Sequence, residues 1–341
     1  MATTPPRPLK EPSPVVIPGD LYNYLRHERI GKGAFGVVYR ARNMTTGVDV
    51  AAKFEAADAE HPMLAHEAEV YRAVGSVPGT LWTTGFARPR WTGRVNGDVV
   101  LVLDLLGPTV EELFERRGRR FELKTIVRLA IQALTRLEHI HSRGFVHRDI
   151  KPDNLMMGLG RNSGTLHVAD FGCATRYCNR ITKIHYPHDA GHGLTGTLDF
   201  ASTFTHRGIR ASRRDDLESL AYTLVYLAKG SLPWQHVSGE TEDEDISVVS
   251  DSKHQTTTTE LCDGLPHEFV ALTDYAKGLE FQTTPDYGQL RDLFRNLLDS
   301  WGYERGERFE WVERAPSKRA DVSSALERVA TFPLSRALTS H

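Results

Sequence analysis

The first third of the chain alternates apolar and polar residues in short runs. From Arg26 to Arg42 the alternation bends around Gly31, Gly33 and Gly36 as a hairpin does, Thr45-Thr46-Gly47 reads as a turn, and Val48 to Glu55 reads as the next strand. His61 to Val74 is read as a helix, Gly93 to Gly97 as a glycine-rich turn, and the continuous apolar run Val99 to Leu103 as a short buried strand. Past Asp104-Leu105-Leu106-Gly107 the period lengthens. Lys124 to Ser142 places Ile126, Leu129, Ala130, Ala133, Leu134, Leu137 and Ile140 at three- and four-residue spacing, and Arg213 to Lys229 does the same with Leu217, Leu220, Ala221, Leu224, Val225 and Ala228. The second of these is expected to be the central buried helix of the larger part. The pattern predicts an α+β protein in two lobes, a small antiparallel sheet with one main helix followed by a larger, mostly helical lobe.

Three stretches lack such a period. Met1 to Gly19 is rich in proline and has no apolar core of signal-peptide type, so it is expected to be disordered. Gly239 to Asp245 is an acidic run continuing into the Ser/Thr-rich Ser247 to Thr259, and is expected to be a solvated, mobile loop. The chain from Ala315 onward is polar, with one weakly helical stretch from Asp321 to Thr331.

Length and composition narrow the class. A chain of 341 residues with 40% hydrophobic content can bury a large core. A formal net charge of −2 supplies no global attraction to nucleic acid or an anionic membrane, so any anion recognition must be local. No apolar run approaches membrane-spanning length, and a soluble protein is expected, cytoplasmic or nuclear. The three cysteines, Cys173, Cys178 and Cys262, have no metal-ligand spacing and are too few to staple a fold of this size, which points to a reducing compartment.

The chemistry is concentrated in Val146-His147-Arg148-Asp149-Ile150-Lys151-Pro152-Asp153-Asn154. Asp149 offers a carboxylate able to accept the proton of a substrate hydroxyl, Asn154 an amide oxygen able to hold a metal ion, and Lys151 between them a charge to neutralise a phosphoryl group in flight. Upstream, Ile30-Gly31-Lys32-Gly33-Ala34-Phe35-Gly36-Val37-Val38 forms a glycine-rich loop between two strand-like runs, where a dinucleotide-binding string would instead open a helix. Glycine backbone at Gly31, Gly33 and Gly36 can approach phosphates closely because no side chain intervenes. Lys53 follows in Val50-Ala51-Ala52-Lys53, and Glu67, fourteen residues later on the predicted helix, can pair with it. Glu69 faces elsewhere and reads as a solvated charge. Asp170-Phe171-Gly172 supplies a second hard-oxygen ligand, suited with Asn154 to Mg²⁺. Cys173 beside it is either a small packed residue or a reactive thiol.

In this order the four motifs resemble those of protein kinases, and Lys151 two positions after Asp149 resembles the serine/threonine version of the loop. Further strings resemble the casein kinase 1 family. They are Leu105-Leu106-Gly107-Pro108, Leu194-Thr195-Gly196-Thr197, Ser212-Arg213-Arg214-Asp215-Asp216-Leu217-Glu218-Ser219-Leu220, Gly230-Ser231-Leu232-Pro233-Trp234, and Pro285-Asp286-Tyr287 to Leu293-Phe294-Arg295-Asn296-Leu297. Ala201-Ser202-Thr203 stands where that family has Ala-Ser-Ile-Asn and other kinases have Ala-Pro-Glu. The resemblance runs from about Tyr24 to Trp311.

It implies the two-lobed protein kinase fold over residues 24–312, with lobes of about 24–104 and 107–312, flanked by a Pro-rich extension at 1–23 and a tail at 313–341. It implies transfer of the γ-phosphoryl group of Mg-ATP to serine or threonine of protein substrates by a monomeric catalytic domain, without nucleic-acid or membrane partners. Asp149 and Lys151 are then catalytic, and Asn154 and Asp170 hold Mg²⁺. The ATP site would comprise Ile30, Gly31, Lys32, Gly33, Ala34, Phe35, Gly36, Val38, Ala51, Lys53, Glu67, Leu103 and Leu105, with Leu103 to Leu106 lining the adenine pocket and hinge. Asp216 would brace the catalytic-loop backbone, and Arg148 either receives an activation-loop phosphate or acts without one.

The departures concern the substrate. Family members resemble one another in binding a phosphate or acidic group through an arginine in Gly-Thr-Ala-Arg-Tyr-Ala and lysines after the Pro-Trp motif. Here Gly196-Thr197-Leu198-Asp199-Phe200-Ala201 carries an aspartate at the arginine's place, and His236-Val237-Ser238-Gly239 leads into the acidic run. Like charge at close range costs free energy, so a reduced preference for phospho-primed or acidic substrates is expected. The acidic loop could alternatively act as an internal pseudosubstrate near Ser247. The competing reading for the whole chain is a pseudokinase or autoinhibited scaffold that binds ATP and partners without chemistry.

Overall fold

The computed structural model describes residues 16–17, 23–33, 36–60, 62–76, 82–303 and 307–312. Its first lobe is a six-stranded antiparallel sheet in the order β1-β2-β3-β4-β6-β5, formed by β1 (Val16–Ile17), β2 (Tyr24–Gly33), β3 (Gly36–Asn43), β4 (Asp49–Glu55), β5 (Pro89–Val95) and β6 (Asp98–Asp104). The period of two divides its residues cleanly. Val37, Tyr39 and Ala41 on β3, Val50, Ala52 and Phe54 on β4, and Val100 and Val102 on β6 pack into one apolar cluster with Tyr24 and Ile17. The intervening positions, Val38, Ala51, Lys53, Leu101 and Leu103, therefore face the other way, and the register sets Lys53 opposite both Val38 and Leu101.

Three findings differ from the sequence reading here. Part of the proline-rich extension is ordered, since Val16 and Ile17 pair with Leu25 and Tyr24 and Ile17 is fully buried. The remainder of Met1 to Gly19 lies outside the described residues. Gly93 is not in a turn but within β5, whose hairpin to β6 closes at Asn96-Gly97, both with positive φ. β5 itself went unpredicted because a leading proline and the mixed run Arg90-Trp91-Thr92-Gly93-Arg94 show no alternation of hydrophobicity.

Helix α1 (Leu64–Gly75) packs on this sheet by Leu64, Ala68, Val70, Tyr71 and Val74. It carries no side-chain cap of its own. Instead the buried Glu55 at the end of β4 accepts hydrogen bonds from the N–H groups of Met63 and Leu64 at 2.6 and 3.0 Å, placing a carboxylate at the positive end of the helix.

The second lobe comprises α2 (Val110–Arg116), α3 (Leu123–Ser142), the short pairs β7 (Phe145–Val146) with β10 (Thr175–Arg176) and β8 (Leu155–Met157) with β9 (Leu166–Val168), then α4 (Thr203–His206), α5 (Arg213–Lys229), α6 (Glu242–Gln255), α7 (Thr258–Leu261), α8 (His267–Gly278) and α9 (Tyr287–Ser300). The predicted α3 and α5 are both present. From Arg213 to Leu227 every residue of α5 is buried, as befits the central helix of the lobe.

The acidic run is the main correction. Glu242 to Gln255 is a helix capped by Thr241, whose hydroxyl accepts from the N–H of Glu244. The Glu244 carboxylate accepts from Glu240 N–H at 2.7 Å and that of Asp245 from Gly239 N–H at 2.6 Å. The carboxylates complement the helix dipole and close its entry, which is what an acidic run before a helix can do whatever its apolar content.

Residues from Arg308 onward form a separate unit, of which 308–312 are described, with the rings of Phe309 and Trp311 stacked 4.7 Å apart. The tail segment read as weakly helical lies outside the described residues. Among the described residues no helix is long and apolar enough to cross a membrane.

Candidate active site

Lys53 on β4 extends from the sheet face opposite the apolar cluster and meets two carboxylates. Its Nζ lies 2.7 Å from Glu67 Oε2 on α1 and 2.9 Å from Asp170 Oδ1. Burial opposes the charge on Lys53, but the two carboxylates outweigh it and hold the ammonium above its ordinary range. Glu67 is almost wholly buried, and burial pushes it up to about 7 against the pull of Lys53. Burial likewise opposes ionisation of Asp170, and the nearby Lys53 reverses the balance and lowers it. Glu69 is exposed and takes no part.

The glycine-rich hairpin runs from Ile30, Gly31, Lys32 and Gly33 in β2 to Gly36 and Val38 in β3, while Ala34 and Phe35 lie outside the described residues. Gly36 cannot carry a side chain. At φ 140° its Cβ would stand 2.1 Å from the carbonyl oxygen of Phe54. Ile30 is 45% exposed, and Val38, Ala51 and Leu105 are half-buried. Val38, Ala51, Lys53 and Leu103 thus share one sheet face beneath the glycine turn, and Leu105 follows the end of β6 where the chain passes into the helical lobe.

Asp149 lies in the turn after β7. Its Oδ1 accepts from both the N–H and the hydroxyl of Thr197, at 2.9 and 2.8 Å, and its Oδ2 accepts from Asn154 Nδ2 at 2.9 Å and lies 3.1 Å from Lys151 Nζ. Lys151 also donates to Thr197 Oγ1 at 2.5 Å. Thr197 was quoted in the sequence only as part of a string, with no role assigned. Its neighbour Gly196 makes the contact possible, because at φ 95° a Cβ there would come within 2.2 Å of the Arg148 carbonyl oxygen.

Asn154 ends a 3₁₀ turn that leads into β8, and its carbonyl accepts from Ala169 N–H at 2.9 Å. The β8–β9 register therefore brings Asn154 and Asp170 to the same end of one hairpin. Because the Asn154 amide donates to Asp149 through nitrogen, its oxygen is left for a ligand. With an Asp170 carboxylate this donor set, hard oxygen throughout, fits a hard divalent cation.

Behind these groups, α5 acts as a bracket. Asp216 Oδ2 accepts from His147 N–H at 2.7 Å and Oδ1 from Arg148 N–H at 2.8 Å, and Oδ2 also meets His141 Nε2 at 2.7 Å, so the backbone brace expected of Asp216 is present. Asp215 accepts from Ser202 Oγ at 2.5 Å and Ser212 N–H at 2.7 Å, and Glu218 from Thr203 N–H at 2.9 Å. Sequence reading missed both, since Asp215 in the first helical turn looks like an ordinary dipole complement and the Thr203 partner of Glu218, one turn further on, lies in a distant segment. Arg148 is partly committed, its Nε donating to the Cys173 carbonyl at 2.6 Å. Cys173 is buried, and burial pushes its thiol up to about 11, which favours packing over reactivity.

A protein kinase domain model matches residues 24–300. The chain belongs to the protein kinases. Membership makes it a phosphotransferase, brings ATP, a divalent metal ion and protein substrates with it, and explains why a sheet lysine, a helix glutamate and a loop aspartate from three separate segments converge.

Proposed function

We propose that this protein kinase is a serine/threonine kinase of the casein kinase 1 type, using Mg-ATP, with reduced preference for phospho-primed or acidic substrates. The observation that carries the reading is the closed network of Asp149, Lys151, Asn154 and Thr197 next to the Lys53–Glu67–Asp170 cluster. Asp149 is aligned to take the proton of an acceptor hydroxyl, and Lys151 to offset charge on the transferred group. Lys53, held by Glu67, would position the phosphates beneath the glycine turn. Asn154 and Asp170 would hold Mg²⁺, which when bound screens the phosphate oxygens. Each of these groups is present and partnered, which supports an active enzyme over a scaffold.

Two observations support the altered substrate preference. Asp199 at the family arginine's position is anchored, accepting from Gln235 Nε2 at 3.0 Å, so a carboxylate is fixed beside Thr197. Helix α6 adds its acidic start after the Pro-Trp turn. The pseudosubstrate alternative loses its basis, since Ser247 lies within α6 and a helical backbone does not present an acceptor in extended form.

The test is transfer of labelled phosphate from Mg-ATP to casein, to a basic protein, and to a peptide pair differing by a priming phosphate. Asp149→Asn is expected to lower transfer by roughly 10²–10⁴-fold. Transfer unaffected by Asp149→Asn removes the catalytic assignment, and a strong preference for the primed peptide removes the specificity assignment.

A further inference from the structure

A cleft of about 870 Å³, with none of the Asp149 network in its lining, lies between the exposed face of α1, the C-terminal end of α3, and β10 with the hairpin that follows it. Arg72, Arg143, Arg176, Arg180, Lys183 and Arg210 line it, against a single carboxylate, Glu69. In a chain of net charge −2 this is a strong local concentration of one sign.

These cations are largely uncompensated. Among the described residues only Arg210 has a carboxylate partner, Asp189 at 2.9 Å, and its buried Nε has no hydrogen-bond acceptor. Arg143 spends its guanidinium on the carbonyls of Ala73 and Ser76, and Arg72 on the Thr92 hydroxyl. Arg180 and Lys183 make no side-chain hydrogen bond or ion pair among the described residues, and Lys183 holds a left-handed φ of 58°. The loop presenting them is nonetheless well tied. Asn179 Oδ1 accepts from the N–H groups of Ile181 and Thr182, Asn179 N–H donates to the Ile184 carbonyl, and Tyr186 N–H to the Tyr177 carbonyl, all between 2.9 and 3.0 Å. Such a loop carries like charges at the mouth of a cationic cleft, an arrangement that an anion relieves.

The same hairpin exposes two large aliphatic side chains, Ile181 at 89% and Ile184 at 69%. A polypeptide has apolar groups to cover them. A single-stranded nucleic acid would seek aromatic faces, and here Phe145 is buried with Arg176 4.2 Å from its ring centre, while half-buried Tyr186 has Arg210 5.8 Å from its own. We propose that the cleft is a docking site for a phosphorylated protein segment, its phosphates on the cations and an adjacent aliphatic residue on Ile181 and Ile184. The site is separate from Asp199, so a phosphorylated partner can be recruited without occupying the acceptor position. Because the ligand would span α1 and the hairpin, its binding favours the arrangement in which Glu67 reaches Lys53.

The experiment is fluorescence anisotropy with the full chain and a labelled peptide carrying paired phosphoserines and a neighbouring isoleucine. Its unphosphorylated twin, inorganic phosphate and a single-stranded oligonucleotide of matched charge serve as competitors. The phosphopeptide is expected to bind about tenfold or more tighter than the twin, to lose that margin in Arg180→Glu/Lys183→Glu, whose residues are exposed, and to bind Asp149→Asn as it binds the unaltered chain. Equal binding of the twin, no binding, or an undiminished margin in the double variant overturns the site. Inorganic phosphate or the oligonucleotide competing as strongly as the phosphopeptide overturns the assignment of its occupant. Loss of binding in Asp149→Asn would instead place the peptide at the transfer site.

Discussion

Asp215 and Asp216 are adjacent, equally buried, and ionise differently. Burial raises Asp215 to about 7, because Ser202 and Ser212 offset it only in part, whereas the burial of Asp216 is outweighed by His141 and by backbone N–H donors, and it is lowered. A half-buried histidine lies in the same lobe. His206 is lowered to about 4 by burial and by Lys253, whose Nζ is 3.0 Å away. The two shifted groups tilt stability in opposite directions. His206 contributes stability that is complete above its ordinary 6.5 and is lost as pH falls toward about 4, while that of Asp215 is complete below its ordinary 3.8 and is lost as pH rises toward about 7. His206→Gln and Asp215→Asn should therefore change the slope of unfolding free energy between those limits with opposite sign, by denaturant titration at each pH. Slopes changing alike would refute the assignment. Thr197→Val removes one of two donors to Asp149 Oδ1 and the acceptor for Lys151, and should cost about 10–100-fold in kcat with little change in the KM for ATP, while Thr197→Ser retains activity.

At the scale of elements, legibility followed the strength of the period. Helices α3 and α5 were readable because their apolar residues recur on one face, and the Lys53, Glu67, Asp149, Asn154 and Asp170 positions because their spacing is chemically constrained. Helix α6 was not, since Ile246, Val248 and Val249 are its whole apolar content and its most telling buried residue is a lysine. Lys253 is 1% exposed, donates to the carbonyls of Leu198 and Ala201 at 2.8 and 2.7 Å, and lies 5.1 Å from the Trp234 ring centre. Neither the burial of a lysine nor the distant carbonyls that satisfy it can be read from a local window. The same holds for Glu55, a strand residue by pattern and a helix cap by position. Glu55→Ala should cost about 1–2 kcal/mol by chemical denaturation and weaken ATP binding through Glu67. Unchanged affinity would separate the cap from the site.

Across the whole molecule, the sheet core draws on residues far apart in the chain. Ile17 is fully buried against strands that begin beyond residue 23, so Ile17→Ala should lower stability by about 2–4 kcal/mol, measured as a shift in the denaturation midpoint. A midpoint within error of the parent would assign β1 no part in that core. The joint between β4 and α1 has a mechanical corollary. Lys53 and Glu55 project from the same side of one strand, and they grip the same helix at two points, its side at Glu67 and its tip at Met63 and Leu64. Two clamps on a rigid rod remove its freedom to pivot. Outward travel of α1 must break the ion pair and strip the cap together, so the lobe should toggle between engaged and released forms instead of sliding through a continuum.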